Sequence, residues 1–207
     1  MLRYWTAGES HGKGLVALVD GFPAGLEIDT DLIDRELARR QGGYGRGGRQ
    51  RIEADRVEIL SGVWQGRTLG SPIALMVVNE DSKLDRMEDL ERPRPGHGDL
   101  AGAIKYLGSI RAVLERASAR ETAARVAAGA LARQILRHFA IEPFAYVVEI
   151  GPMRISPKPG TLAEQKALRD ASGVYSLDPE QDGPAKQLID RCQKAGDTLG
   201  GVIEVRV

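Results

Sequence analysis

The chain has 207 residues, 42% of them apolar and 28% charged, with 29 lysines plus arginines set against 29 aspartates plus glutamates. That length suits one large domain or two small ones with a substantial buried core, and zero formal charge argues against a dedicated nucleic-acid binder, whose affinity draws on excess positive charge. One cysteine, Cys192, and three widely spaced histidines supply neither a disulfide nor a zinc set, and no apolar run reaches the roughly 20 residues of a membrane span, so a reducing cytoplasmic setting is expected.

Short strands are predicted over Leu2–Thr6 and Leu15–Asp20, on either side of the stretch G-E-S-H-G-K-G. His11 lies in that stretch. Imidazole titrates near neutral pH, and glycines on both sides let the backbone turn and a ligand come close. A turn without chemistry is the competing reading. Leu26–Arg40 reads as a helix, with Asp29 or Thr30 to cap it and Arg39 and Arg40 to close its last turn before Gly42 and Gly43.

From Arg39 to Arg51, five arginines and five glycines share 13 positions. Guanidinium forks match carboxylate and phosphate oxygens, and glycines let backbone N–H groups approach the same anion. A loop closing on a small polyanion, a solvated mobile loop and an RGG-type nucleic-acid segment all fit this stretch. Strands follow over Arg56–Gly62 and Ser71–Val78. The segment Asn79–Asp99 is a long, densely charged loop of the kind that is usually functional or disordered. It ends in R-P-R-P-G-H-G-D, where His97 sits between glycines and Asp99 is placed to orient or charge the imidazole.

Leu100 to about Leu114 has a helical pattern. A stronger helix is predicted from about Ala119 to Phe139, opened by a capping box of Ser118 and Glu121 and carrying the stripe Ala127, Leu131, Ile135, Phe139. A helix N-terminus at R-A-S-A-R-E (Arg116–Glu121) favours an anion, and Arg116 and Arg120 add positive charge. Equally, Ser118 merely caps the helix and Arg120 pairs with Glu121 or Glu115. His138, in the last turn, reads as structural. Tyr146–Ile150 reads as a strand, Thr161–Glu164 as a second capping box opening a helix to about Asp170, and Pro184 as the start of a helix ending near Gly196. The chain finishes in the alternating strand G-G-V-I-E-V-R-V, mid-strand and without a polar tail, which suggests the N-terminal part of a longer protein. Interleaved strands and helices indicate α/β or α+β layers.

Two loop histidines and many loop arginines together describe an enzyme that moves protons on a substrate with several negative charges. Ser10 beside His11 is not read as a nucleophile pair, because adjacent residues seldom aim at each other and no G-x-S-x-G elbow is present.

Five stretches now resemble, in order, the signatures of the chorismate synthase family. They are G-E-S-H-G at Gly8–Gly12, V-D-G-F-P at Val19–Pro23, R-P-G-H-G-D at Arg94–Asp99, E-R-A-S-A-R-E-T-A-A-R-V-A-A-G-A at Glu115–Ala130 and G-D-T-L-G-G at Gly196–Gly201. The resemblance covers essentially the whole chain. Gly98 departs from the more frequent R-P-G-H-A-D, and the charged loop Asn79–Arg92 is shorter than in many relatives.

The resemblance implies an α+β fold, a β-α-β sandwich with helices packed between antiparallel sheets. Residues 1–207 would form a single domain, the N-terminal part of a chain that assembles as a homotetramer at full length. It implies a cytoplasmic lyase of the shikimate pathway that needs reduced FMN and converts 5-enolpyruvylshikimate 3-phosphate to chorismate and phosphate by 1,4-elimination. No metal, nucleic acid or membrane is implied.

By the same resemblance His11 protonates or stabilises the reduced flavin, and His97 assists the leaving phosphate as a general acid. Arg40 and Arg46 match positions for anionic ligands, substrate or NADP. Ser10, Arg49 and Arg120 are further substrate contacts, and Arg116, Ala117 and Ser118 match the segment that holds FMN. The family's chain continues past the position matching Val207 with more flavin-binding residues and a catalytic aspartate motif. A non-catalytic fragment that binds FMN and anions is therefore the alternative.

Overall fold

Alternation sets the first sheet. In G-L-V-A-L-V-D the side chains of Leu15, Ala17 and Val19 point one way, and each is 1% exposed. The computed structural model describes residues 1–46 and 53–207. They form two compact units, residues 1–40 with 53–135 and residues 41–46 with 136–207.

The first unit begins with strands β1 (Arg3–Gly8) and β2 (Gly14–Asp20), then helix α1 (Thr30–Gln41). Strand β3 (Val57–Ser61), a short hairpin of β4 (Val63–Trp64) and β5 (Arg67–Thr68), and β6 (Ile73–Val78) follow. Helices α2 (Asp99–Tyr106), α3 (Ile110–Arg116) and α4 (Thr122–His138) come next. The main sheet has the order β1-β2-β6-β3 and is antiparallel throughout. Its inner face presents Leu15, Ala17, Val19, Val57, Ile73, Leu75 and Val77 to Leu32, Ile33 and Leu37 of α1 and to the alanines and Leu131 of α4. Alanines at 123, 124, 127 and 128 keep that face of α4 small, so the helix packs close.

Asp29 caps α1, its carboxylate accepting from Leu32 N–H at 2.8 Å. The helix starts later than the predicted Leu26, because Leu26 and Ile28 are drawn into extended pairing with the hairpin: Thr68 N–H donates to Leu26 O, and Ile28 N–H to Gly66 O. The helix predicted over 100–114 is two helices. Leu107 turns left-handed at φ +49°, and Ser109 Oγ caps α3 by accepting from Ala112 N–H. The two pack through Gly102, where a Cβ would lie 2.3 Å from Val113 Cγ1. The long helix also starts later than predicted, at Thr122, after a 3-10 turn over Ala119–Glu121. Ser118 caps that turn, but the Glu121 carboxylate accepts from Thr6 Oγ1 and Arg125 Nε, so the expected capping box does not close. Phe139, the fourth residue of the predicted stripe, lies past the helix end and is exposed.

The second unit holds β7 (Phe144–Ile150), β8 (Met153–Arg154), α5 (Leu162–Ala171), α6 (Asp182–Lys194) and β9 (Gly201–Arg206). Its sheet, β8-β7-β9, is antiparallel, so the final strand finds its partner earlier in the chain. Phe144 and Tyr146 bury against Leu177, and Ile155 and Val174 against Ala185. The Tyr146 hydroxyl donates to Glu204; burial first, then this bond, pushes the phenol up to about 12. Here the capping box does form: Glu164 N–H donates to Thr161 Oγ1, and Thr161 N–H to Glu164 Oε2. Helix α6 begins at Asp182, so Pro184 sits inside its first turn rather than at its first position. The α+β class implied by the resemblance, one of the two that the interleaved elements left open, is the class observed, with antiparallel sheets in both units.

Leu131 is fully buried at the centre of the first core. Leu131→Ala is expected to lower unfolding free energy by about 2–5 kcal/mol. Leu162→Ala, at a half-exposed position, should stay within about 0.5 kcal/mol. Urea denaturation of both variants checks the contrast.

Candidate active site

The turn that carries His11 is held from several sides. Gly8 opens it at φ +101°, and a Cβ there would lie 2.2 Å from Gly14 O, so this glycine answers a backbone constraint rather than the approach of a ligand. Asn79 Nδ2 donates to Glu9 O at 3.0 Å and to Gly12 O at 2.8 Å, and Gly12 N–H donates to Glu9 O. Ser10 is buried, and its N–H donates to Glu115 O at 3.0 Å. His11 N–H donates to Glu115 Oε2 at 3.0 Å, and Nδ1 of the ring lies 2.7 Å from the same oxygen. On the other side of the ring, Nε2 is 3.5 Å from Asp81 Oδ2. The charged loop is pinned here too, with Lys83 and Leu84 N–H donating to His11 O. A cavity of about 260 Å³ opens beside the ring, with Glu9, Lys13, Lys83 and Arg86 in its wall.

Two of the predicted arginines meet on one buried carboxylate. Arg120, 6% exposed, donates from Nη1 to Asp55 Oδ1 at 2.5 Å and from Nε to Asn79 Oδ1 at 2.8 Å. Its Nη2 reaches Val78 O at 3.2 Å and Glu53 at 3.5 Å. Arg40 Nη2 takes the other Asp55 oxygen at 2.6 Å. Arg120 thus pairs with neither Glu121 nor Glu115, the partners its sequence neighbourhood offered. Arg40 Nε is buried with no hydrogen-bond partner among the described residues. Arg46 lies in the second unit and is exposed. The chain leading to it is anchored there, with Tyr44 N–H donating to Gly173 O and the Tyr44 hydroxyl to Asp190. That hydrogen bond, then burial, raises the Tyr44 phenol above its ordinary value. Arg49 falls outside the described residues.

Arg116, Ala117 and Ser118 do come together. They line a cavity of about 420 Å³ whose wall also includes Lys105, Tyr106 and Val113. Ala117 ends α3, its N–H donating to Val113 O, and Ser118 starts the next turn. Arg116 Nη2 donates to Thr6 O and Thr6 Oγ1, both at 2.9 Å, and Nη1 to Gly8 O at 3.4 Å. Burial opposes ionisation of Glu121, yet the Thr6 hydroxyl, Arg125 and Arg116 hold its carboxyl below the ordinary value.

His97 stands apart. It is exposed, its Nδ1 lies 3.1 Å from Pro95 O, and no described hydrogen bond or ion pair joins it to His11, Arg40 or Arg120. No hydrogen bond joins His97 to Asp99 among the described residues, although the charge of His97 is a minor cause of the lowered Asp99 carboxyl. Asp99 is buried at the start of α2 and accepts from Arg94 N–H, Nε and Nη2 at 2.9–3.1 Å. Sequence reasoning also missed Asn79, Asp81, Glu53 and Asp55. The E-A-D at 53–55 carried a signal in its two acids beside the arginine loop, but nothing in the spacing joins Asp55 to Arg120, 65 residues away.

The family profile described as chorismate synthase matches residues 2–207. The chain is 51% identical over 223 residues to a chorismate synthase of Symbiobacterium thermophilum, covering 99% of this chain and 57% of the relative. It is 49% identical over 219 residues to one of Alkaliphilus metalliredigens, covering 100% of this chain and 57% of the relative. A crystal structure of chorismate synthase superposes with a TM-score of 0.80 at 42% identity, covering 99% of this chain and 57% of that one. The chain therefore spans a little over half the length of the curated relatives it matches.

The Asp99 carboxyl is lowered to about 2, mainly by the Arg94 side chain and then by its backbone N–H. A depressed folded value makes this contribution complete above the unfolded value of 3.8 and removes it as pH falls toward about 2. Urea denaturation of the wild type and Asp99→Asn between pH 7 and pH 2 should therefore give stability curves that differ at neutral pH and converge across the window from about 4 to about 2. A difference that stays constant with pH would contradict the pairing.

Proposed function

The chain belongs to the chorismate synthase family, and we propose that it acts as a lyase on 5-enolpyruvylshikimate 3-phosphate, removing phosphate and a ring proton by 1,4-elimination to give chorismate. One observation carries this reading. The last turn of α3 serves two places at once: Glu115 holds the His11 turn, and Arg116–Ser118, one residue on, line the larger cavity. Arg116 ties them together by reaching Thr6 O and Gly8 O at the entry to that turn.

The cavity suits reduced FMN in size and in chemistry. Its volume of about 420 Å³ lies within the range of small-molecule sites, and it combines the apolar wall of Val113 and Tyr106 with the cations Arg116 and Lys105. Reduced FMN, when bound, supplies an electron transiently and recovers it, so the elimination has no net redox change. Arg116, Ala117 and Ser118 are the residues proposed to hold it.

The substrate carries two carboxylates and a phosphate, and the arginines provide for them. Arg40 keeps a buried Nε donor without a partner among the described residues, which suits an anion. Arg120 and Ser10 are proposed substrate contacts, as are Arg46 and Arg49, although Arg120 is already engaged by Asp55 and Glu53 and Ser10 is buried. In this reading His11 gives a proton to, or stabilises, the reduced flavin. His97, exposed on its loop, protonates the departing phosphate. The assembly proposed at full length is a homotetramer. A second reading is flavin and anion binding without turnover, for which the cavity at Arg116–Ser118 and the arginines would suffice.

Anaerobic mixing of the 207-residue protein with substrate and chemically reduced FMN tests this. Chorismate should form, and His11→Ala should lose about 100-fold or more of the rate. Saturable binding of reduced FMN without chorismate would favour the second reading. Neither binding nor product would overturn both.

A further inference from the structure

We infer that Glu115 is a positioning residue that decides which imidazole nitrogen of His11 carries the proton. The inference rests on the reading of His11 as the ligand-facing acid, and it stands on geometry of its own.

Glu115 is 1% exposed, yet its Oε2 accepts from the His11 backbone N–H at 3.0 Å and lies 2.7 Å from ring Nδ1. An ionised carboxylate only accepts hydrogen bonds. The neutral ring can therefore satisfy this contact in one tautomer alone, with the proton on Nδ1 and the lone pair on Nε2. Two contacts on one oxygen fix the ring against its own backbone. A third tie, from Ser10 N–H to Glu115 O, holds the turn to the end of α3 without using the side chain.

The charges around the pair favour the same arrangement. Arg111 Nη1 lies 3.5 Å from Glu115 Oε1, an i, i+4 neighbour that supports the ionised carboxylate. Oε1 is buried and accepts no hydrogen bond among the described residues, so Arg111 approaches the oxygen that the His11 ring does not use. Arg111 is itself fixed by donating from Nε to Glu88 O at 3.0 Å. On the far side of the ring, Asp81 lies 3.5 Å from Nε2, beyond a good hydrogen bond, and Lys83 Nζ holds the same Asp81 oxygen at 2.8 Å. Glu115 thus has the stronger hold on the imidazole, and Nε2 is left as the atom that meets a ligand. When the ring is doubly protonated, Nε2 is the position from which a proton leaves while Glu115 retains the other. Buried hydrogen bonds of this kind are strong because water does not compete for them.

Nitrogen-15 NMR of the histidine rings in the 207-residue protein, at a pH where the imidazole is neutral, reads the tautomer directly. His11→Ala assigns the His11 signals. In the wild type, His11 should show a protonated Nδ1 and a bare Nε2. In Glu115→Leu the proton should move to Nε2, which faces the Asp81 carboxylate at 3.5 Å. Should that variant fail to fold by circular dichroism, Glu115→Gln decides: its amide offers a donor as well as an acceptor, so the Nδ1–H form should fall to a mixture. A wild-type His11 with a bare Nδ1 overturns the inference, as does an unchanged tautomer in folded Glu115→Leu or in Glu115→Gln. The reading beneath it fails separately: His11→Ala binding reduced FMN as tightly as the wild type would remove His11 from the flavin and leave the tautomer result standing.

Discussion

A single buried carboxylate organises the first unit. Asp55 accepts from Arg40 at the end of α1 and from Arg120 just ahead of α4, so the two helices that cover the sheet are joined at one end through its oxygens. Taking these ions out of water costs several kcal/mol each, and their mutual attraction offsets that only where the remaining donors and acceptors are satisfied. Arg120 meets the condition with Asn79, Val78 O and Glu53. Such a network adds little net stability, but removal of one member would leave a buried charge with fewer of its partners, at a cost in stability. Its effect is to admit one arrangement of these segments.

The consequence reaches His11 through Asn79. The side-chain oxygen of Asn79 accepts from Arg120, and its amide nitrogen donates to Glu9 O and Gly12 O. The turn is thereby shaped on one side by the ion network and on the other by the end of α3, which offers Glu115 to the imidazole and Arg116 to the strand before the turn. The imidazole is set from two directions before any ligand is present, an arrangement that suits proton transfer, where misplacement by a fraction of an ångström is expensive. His97 has no such support and projects from an exposed loop.

Local patterns in the sequence were readable where the physics is local. Alternation placed β2 and the closing strand. Asp29 and Thr161 marked helix starts because an N-cap acts within one turn. The segment Arg116–Ser118 was picked out by local charge at a helix end, and resemblance supplied its ligand. Long-range pairing was not readable. The Arg120–Asp55 and His11–Glu115 contacts join residues 65 and 104 positions apart, and ion pairs leave no periodicity. The same blindness explains the smaller errors. Glu121 was assigned to a cap and is drawn away by Thr6 and Arg125, Asp99 was assigned to His97 and is held by Arg94, and Leu26 was assigned to a helix and pairs with a hairpin distant in sequence.

The central claim is that the His11 turn is built in advance by Asn79 and the charges behind it. Native-state hydrogen exchange at the amides of Ser10, His11 and Gly12 tests this directly, because each has a defined acceptor in the turn or on Glu115. In the wild type these amides should be protected to a degree close to that of the β2 amides. In Asn79→Ala they should exchange about tenfold faster or more while β2 keeps its protection. Rapid exchange of the turn in the wild type, or exchange that Asn79→Ala leaves unchanged, would contradict the account.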